Sequence, residues 1–414
     1  MANIDLAALA DAVEEEVRAV YAAVDEIALA NHARVLSAFR AERVSDFHMR
    51  GSTGYGYGDA GRETLDRVWA RVFGAEAAIV RTQIVSGTHA LALGLFAVCR
   101  PGDEVLSLGR PYDTLADVIG LGGAHPGSLT ALGVTCREVA DEPGGDVPLD
   151  ELVTAVGPRT KVLYLQRSRG YAWRRGLDLQ SMARVIAAVR ERHPGITVLV
   201  DNCYGEFVED REPPAVGADL CAGSLIKNPG GGLAPTGGYV AGRADLVELA
   251  AERLTAPGLG AHVGCAPEGY RLLFQGLFLA PHIVAEALKG AVFAARLLER
   301  LGYAVLPKWD DLPRSDIVQA IRLGRPERIL AFCRGLQRGS PVDAHVIPEA
   351  GPLPGYADGV VMAAGTFIQG ASLELSADAP MREPYVVYLQ GGLSRHYARL
   401  GVMAACRELL EADR

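Results

Sequence analysis

The chain has seven cysteines (Cys99, Cys136, Cys203, Cys221, Cys265, Cys333 and Cys406) and nine histidines, but no CxxC pair, no HExxH and no HxH arrangement. Zinc clusters and helix-borne metalloprotease sites are thereby excluded, and no metal is expected. An odd number of cysteines in apolar or helical runs fits reduced thiols in a cytoplasmic protein. Positive charge is in short supply: 41 Lys and Arg face 50 Asp and Glu, for a formal net charge of −9. That balance argues against a nucleic-acid partner, and the one local basic cluster is Arg167–Arg175. There is no GxxxxGK[ST] loop, and the glycine-tyrosine stretch Gly54–Gly58 does not follow a strand as a dinucleotide fingerprint would. A Ser-His-Asp hydrolase built on Ser86 and His89 would need a GxSxG elbow, which is absent. The N-terminus, MANIDLAALADAVEEEVRAV, reads as an acidic amphipathic helix without the basic-then-apolar order of a signal peptide. No apolar run in the sequence reaches bilayer length, so no membrane partner is expected.

What is present is a chain of 414 residues, 49% hydrophobic, long enough for two or three domains with sizeable cores. Residues 5–42 keep a helical apolar stripe, which Gly51–Gly61 breaks. From Glu63 to about Val240 short apolar strands (AAIVR, EVLSLG, VTCREVA, KVLYLQ, ITVLVD) alternate with helical segments such as THALALGLFAV and LDLQSMARVIAAVRERH. The alternation predicts a mostly parallel sheet covered by helices. Beyond Leu246 the pattern turns helical and later mixes strands with turns. The expected organisation is an N-terminal helical segment over 1–50, a large α/β domain over 51–290 and a smaller α+β domain over 291–414. No internal repeat or low-complexity linker is evident.

Three local features point to one chemistry. Val198-Leu199-Val200-Asp201 reads as a buried strand ending in a carboxylate, at the sheet edge where open α/β folds bind ligands. Lys227 stands alone in the glycine-rich stretch SLIKNPGGGLAPTGGYVAG, just after a second short strand over Ala218–Ser224. Ser86-Gly87-Thr88 opens a helix after strand AAIVR, where free amides and hydroxyls can seat a phosphate; Ser224, three residues before the lysine, adds a further hydroxyl. An amine for a Schiff base, a carboxylate to keep a ring nitrogen protonated and donors for a dianionic tail together suit pyridoxal 5'-phosphate. The glycines after Lys227 then let the backbone approach the cofactor and close tight turns.

The stretches GYGYGDAGRETLDRVWARVFGAE, QIVSGTHA, QRSRGYAWR, VDNCYGEF, SLIKNPGGGLAPTGGYVAG, RSDIVQAI, GSPVDAHV and MAAGTFIQGASLELSADAPMREPYVVYLQGGL cover roughly residues 50–395. Through them the chain resembles the pyridoxal-phosphate enzymes of cysteine and methionine metabolism, in particular the methionine gamma-lyase-like or aluminium-resistance branch. The resemblance implies the fold-type I, aspartate aminotransferase-like architecture. It also implies a homodimer with shared active sites, often paired into a homotetramer. Lys227 would then be the Schiff-base lysine and proton shuttle, and Asp201 the partner of the pyridine nitrogen. Gly87, Thr88 and Ser224, with Ser86, would hold the phosphate. Tyr112, in GRPYDTL, is placed by the resemblance where a ring stacks on the cofactor, and Tyr55 and Tyr57 where the partner subunit reaches the phosphate. Arg382 and Arg169 are candidates to clamp the substrate carboxylate, a task suited to a planar two-pronged donor.

Such a site acts on a small amino-acid substrate. Loss of the Cα proton to Lys227 allows a leaving group at Cβ to depart, or, after a second deprotonation through a vinylglycine-type intermediate, one at Cγ. The reading is a lyase that cleaves cystathionine, methionine or a relative by β- or γ-elimination. The alternative is a transferase making a γ-replacement or carbon–carbon bond on an O-acyl homoserine or S-adenosylmethionine. A non-enzymatic metal-tolerance role finds no carboxylate cluster suited to Al³⁺. Two departures from the family bear on the substrate. Arg175 adds a basic residue after Trp173-Arg174, and His345–Tyr356 lacks an expected tryptophan near Gly351. If either lines the entrance, a larger or anionic substrate is expected.

Overall fold

The computed structural model describes residues 5–123, 125–140, 147–353 and 356–414. The chain opens with helices α1 (Leu6–Glu16), α2 (Arg18–Ala41) and α3 (Ala60–Phe73), then enters an alternating region. That region runs β1 (Ala77–Arg81), α4 (Gly87–Val98), β2 (Glu104–Leu108), α5 (Asp113–Ile119), β3 (Thr135–Val139), α6 (Leu149–Ala155), β4 (Thr160–Gln166), α7 (Leu179–Arg192), β5 (Thr197–Asp201), β6 (Leu220–Ser224), β7 (Gly238–Gly242) and α8 (Ala244–Leu254). A long helix, α9 (Arg271–Arg300), leads to β8 (Ala304–Leu306), β9 (Gln319–Arg322), α10 (Pro326–Arg338), β10 (Ala350–Gly351), β11 (Val360–Ala363), β12 (Ser376–Pro380), β13 (Val386–Gln390) and α11 (Arg395–Ala412).

Strand identity follows composition: β2, β5, β6 and β7 are buried along their whole length, as expected of strands covered by helices on both faces. The large sheet has the order β1-β7-β6-β5-β4-β2-β3. Its β3, β2, β4, β5 and β6 run parallel, whereas β7 lies antiparallel to both β6 and β1. Two reversals leave β1 pointing the same way as β6. The carboxyl ends of β1, β2, β4, β5 and β6 therefore share one edge, and the loops that carry Ser86–Thr88, Tyr112, Arg169 and Lys227 leave from it. The predicted mostly parallel α/β fold is what the chain adopts. The second sheet, β10-β11-β12-β13-β9-β8, is antiparallel throughout.

Helix α9 ties the two sheets together. Its residues from Leu273 to Leu288 enter the core of the large sheet, and those from Val292 to Leu298 enter the core of the small one. The division expected between 290 and 291 thus lies inside a continuous helix. The N-terminal helices are shared in the same way: Leu6, Ala10 and Val13 of α1 and Val20 and Tyr21 of α2 join the small-sheet core, while Val24, Val35 and Ala38 of α2 join the large. Residues 1–4 of the expected N-terminal segment lie outside the described residues.

The expectation that no apolar stretch reaches membrane-spanning length is corrected by α9, whose most apolar 18-residue window has a mean hydropathy of 1.5. Because 72% of that window is buried inside the protein, the two cores it joins account for its composition. All seven cysteines are free, and among the described residues no group of three or more His, Cys, Asp or Glu is placed to hold a metal.

Candidate active site

A cavity of about 410 Å³ opens at the carboxyl edge of the large sheet, with Tyr356 and Arg382 of the small domain completing its lining. Ser86, Gly87, Thr88, Tyr112, Asp201, Ser224, Lys227, Arg169 and Arg382, all singled out from the sequence, line it together.

The floor is built from strand ends. Gln166 and Asp201 are register partners at the ends of β4 and β5. Gln166 Oε1 accepts a hydrogen bond from the Tyr112 backbone N–H at 3.1 Å, which fixes the loop leaving β2. Asp201 accepts from the Cys203 backbone N–H at 3.0 Å and from the Tyr164 hydroxyl at a long 3.4 Å. Burial pushes the Asp201 carboxyl above its ordinary value, and nearby Lys227 pulls it back in part. A carboxylate so desolvated calls for a cation.

At the head of α4, Ser86 is extended and its hydroxyl accepts from the His89 N–H at 3.0 Å, capping the helix. A Cβ on Gly87 would lie 3.0 Å from Cys203 Sγ and 3.3 Å from Ser224 Cβ, so only glycine leaves that cradle open. The Thr88 hydroxyl meets the Tyr112 hydroxyl at 2.9 Å. Ser224 is buried, and its hydroxyl makes no hydrogen bond among the described residues.

Lys227 is partly buried, with Nζ 3.7 Å from the centre of the Tyr204 ring. Burial opposes its charge, but Tyr204, Cys203 and Asp201 more than offset that, and its pKa lies above the ordinary lysine value. The loop that carries it is packed tightly: Gly231 has a φ of +57°, and a Cβ there would run into the carbonyl oxygen of Gly276 in α9. The glycines therefore press the lysine loop onto a helix; the close approach is backbone to backbone.

The two arginines read from the sequence differ in setting. Arg169 is buried, with Nε 3.6 Å from Asp316 and Nη1 bonded to the carbonyls of Leu306 (2.9 Å) and Arg174 (3.2 Å). This leaves Nη2 without a hydrogen bond among the described residues. Arg382 sits half-exposed at the mouth, 3.2 Å from Asp358. Tyr55 and Tyr57 do not line this chain's cavity; they are exposed on a turn with ring centres 5.4 Å apart. Arg175 also lies off the cavity, paired with Asp311 at 3.2 Å, while its neighbour Arg174 lines it. Gly351, on β10, is not part of the wall, although Tyr356 from the same stretch is; residues 354–355 lie outside the described residues.

Several lining residues escaped the sequence reading. Tyr204 and Cys203 follow Asp201 directly in VDNCYGEF, and the strand-end rule that found Asp201 extends to them. Tyr204 holds a φ of +70°, a strained value for a tyrosine that marks a functional constraint. Tyr171 and Tyr356 pack at 5.3 Å to form the outer wall, and only tertiary structure joins them.

The donor set fits pyridoxal 5'-phosphate. The buried, under-compensated Asp201 suits a protonated ring nitrogen, the open head of α4 with the unpartnered Ser224 hydroxyl suits a phosphate, and Lys227 suits an aldehyde.

Comparison with known proteins agrees with that chemistry. The family model described as methionine gamma-lyase matches residues 6–410. The protein YnbB of Bacillus subtilis is 48% identical over 401 residues, covering 96% of this chain and 95% of its own. A Listeria monocytogenes structure, proposed as a cystathionine beta-lyase involved in aluminum resistance, superposes with a TM-score of 0.95 at 48% identity, covering 97% of this chain and 99% of its own. A carbon-sulfur lyase involved in aluminum resistance from Clostridium novyi gives 0.93 at 45% identity, with coverages of 97% and 95%.

Proposed function

Since the chain belongs to the methionine gamma-lyase family of pyridoxal-phosphate-dependent lyases, we propose that it eliminates a thiol from Cβ or Cγ of a sulfur-containing amino acid. Cystathionine and methionine are the first substrates to test. The observation that carries the reading is the convergence of Lys227, Asp201 and the head of α4 on one cavity.

When bound, pyridoxal phosphate supplies an electron sink for the pair left at Cα when its proton is removed. Lys227 takes that proton, and Tyr204 beneath its Nζ fixes its direction. Asp201 holds a proton at the ring nitrogen. The amides of α4, with Ser86, Thr88 and Ser224, hold the phosphate. Arg169, already anchored on three protein groups, presents Nη2 to the α-carboxylate. Tyr112, kept protonated by burial, donates a hydrogen bond to the departing sulfur. Tyr171 and Tyr356 exclude water from the outer wall. Each turnover consumes one water and yields a thiol, a 2-oxo acid and ammonia.

In a dimer, Tyr55 and Tyr57 would reach the partner's phosphate, and two such dimers would pair. Seven free thiols fit work in a reducing cytoplasm. The test is product analysis with purified holoenzyme. Cystathionine or methionine alone should release a 2-oxo acid and ammonia in equal amounts; product only after addition of a second nucleophile would make the enzyme a transferase and overturn the lyase reading.

A further inference from the structure

Holding one α-carboxylate and one phosphate gives a task to only some of the cationic side chains that line the cavity. Among the described residues, Arg110, Arg169, Arg174, Arg382 and Lys227 line it with Asp113 and Asp201, in a chain with a formal net charge of −9. Arg169 and Lys227 have tasks at the reacting end. At the rim stand Arg110, on the loop between β2 and α5, and Arg382, on the turn between β12 and β13. They come from opposite domains, and both act electrostatically on Asp113. Asp113 does not explain them, because neither guanidinium is within ion-pair distance of it among the described residues.

Their partners are surface carboxylates. Arg110 meets Glu138 at 3.4 Å, with side chains 57% and 31% exposed, and Arg382 meets Asp358 at 3.2 Å, with side chains 48% and 39% exposed. Exposed pairs of this kind contribute little and exchange readily. A second carboxylate, arriving at the end of a substrate held at its other end by Arg169, would gain two planar forks at once. Opposite charge at the mouth would also draw such a substrate in.

We propose that Arg110 and Arg382 form a second anion subsite, which binds a carboxylate at the far end of the substrate's leaving group. The favoured substrates are acidic thioethers of cysteine or homocysteine, and neutral ones such as methionine are served poorly. This rests on the lyase reading only in taking the substrate to be a sulfur amino acid.

The experiment uses near-isosteric pairs with the holoenzyme: S-(2-carboxyethyl)-L-cysteine against S-(2-carbamoylethyl)-L-cysteine, and the same pair on homocysteine. Dissociation constants come from the absorbance change of the bound cofactor, and turnover from 2-oxo acid release. The carboxyethyl compounds should bind about tenfold more tightly, equivalent to about 1.4 kcal/mol. That ratio should shrink as salt is raised, since exposed charges are screened, and approach one in the double variant Arg110→Gln, Arg382→Gln. A ratio near one in the wild type, or one that survives in the double variant, overturns the subsite. The salt series on the wild type decides the matter even if a variant folds badly. Selective binding without any 2-oxo acid would sink the lyase reading and leave the subsite standing; turnover of both compounds at equal affinity would do the reverse.

Discussion

Glu206, which Lys227 influences electrostatically, takes no part in the proposed chemistry, yet its setting is a costly one for a carboxylate. It is fully buried, Oε1 accepts from the Tyr239 hydroxyl at 2.8 Å, and Oε2 has no partner. Burial above all, with Glu212 adding, pushes its pKa up to about 8 from an ordinary 4.5. The folded state therefore binds this proton more tightly than the unfolded chain does. Stability from this group is complete below about pH 4.5 and is lost as pH rises through about 8, at up to about 1.4 kcal/mol per pH unit. Glu206→Gln keeps the shape and removes the titration. The stability of the variant relative to wild type should climb between pH 5 and 8 and then level off, as read from denaturant unfolding at several pH values. A difference that stays flat with pH would mean that Glu206 is ionised in the folded protein. At this scale the sequence already spoke for Lys227: the chain has only four lysines, Lys161, Lys227, Lys289 and Lys308, and Lys227 is the one that lines the cavity. It offered Arg169 only alongside Arg382 and could not separate them, because the burial of Arg169 against Asp316, 147 positions away, is settled by packing.

At the scale of elements, the contact between the lysine loop and α9 decides how firmly the site is held. Gly276 sits inside α9, where helix propensity alone would make alanine better by about 1 kcal/mol. A Cβ at Gly276, however, would run into the carbonyl oxygen of Gly230. Overpacking of this kind costs about 1–3 kcal/mol, so Gly276→Ala should lower both the melting temperature and turnover, the latter by moving the Lys227 loop. A stabilised, fully active Gly276→Ala protein would show that the loop yields and that propensity decides. The glycines after Lys227 were legible as turn-formers, but their pressing against a helix some 45 positions later was not. Strands β1 to β6 were likewise legible from their apolar runs and flanking turns, most plainly β2, β5 and β6, which are buried along their whole length; β7 was not read as a strand. The reversal of β7 was hidden: its composition, GYVAG, is that of any buried strand, and its direction is set by pairing with β6 and β1.

For the whole molecule, one helix and two sheets bring distant stretches over a single cavity. Lining residues within 85–88, 110–114, 166–174, 201–204 and 224–227 reach it because they lie at or after strand ends on one edge, which is why a sequence reading could find so many of them. Tyr356 and Arg382 reach it because α9 carries the chain into the small domain, which then folds back over the edge, and no local pattern announces that. Tyr55 and Tyr57 are exposed here and, under the proposed function, would serve a site only in an assembly. The central claim is that Lys227 removes the Cα proton in this cavity. The measurement that tests it most directly compares wild type with Lys227→Ala in D₂O, following deuterium at Cα of cystathionine and the release of 2-oxo acid. The expected result is exchange and release by the wild type, with both falling about 10²–10⁴-fold in the variant while its circular dichroism is unchanged. Exchange at an undiminished rate in a folded Lys227→Ala protein would contradict the account.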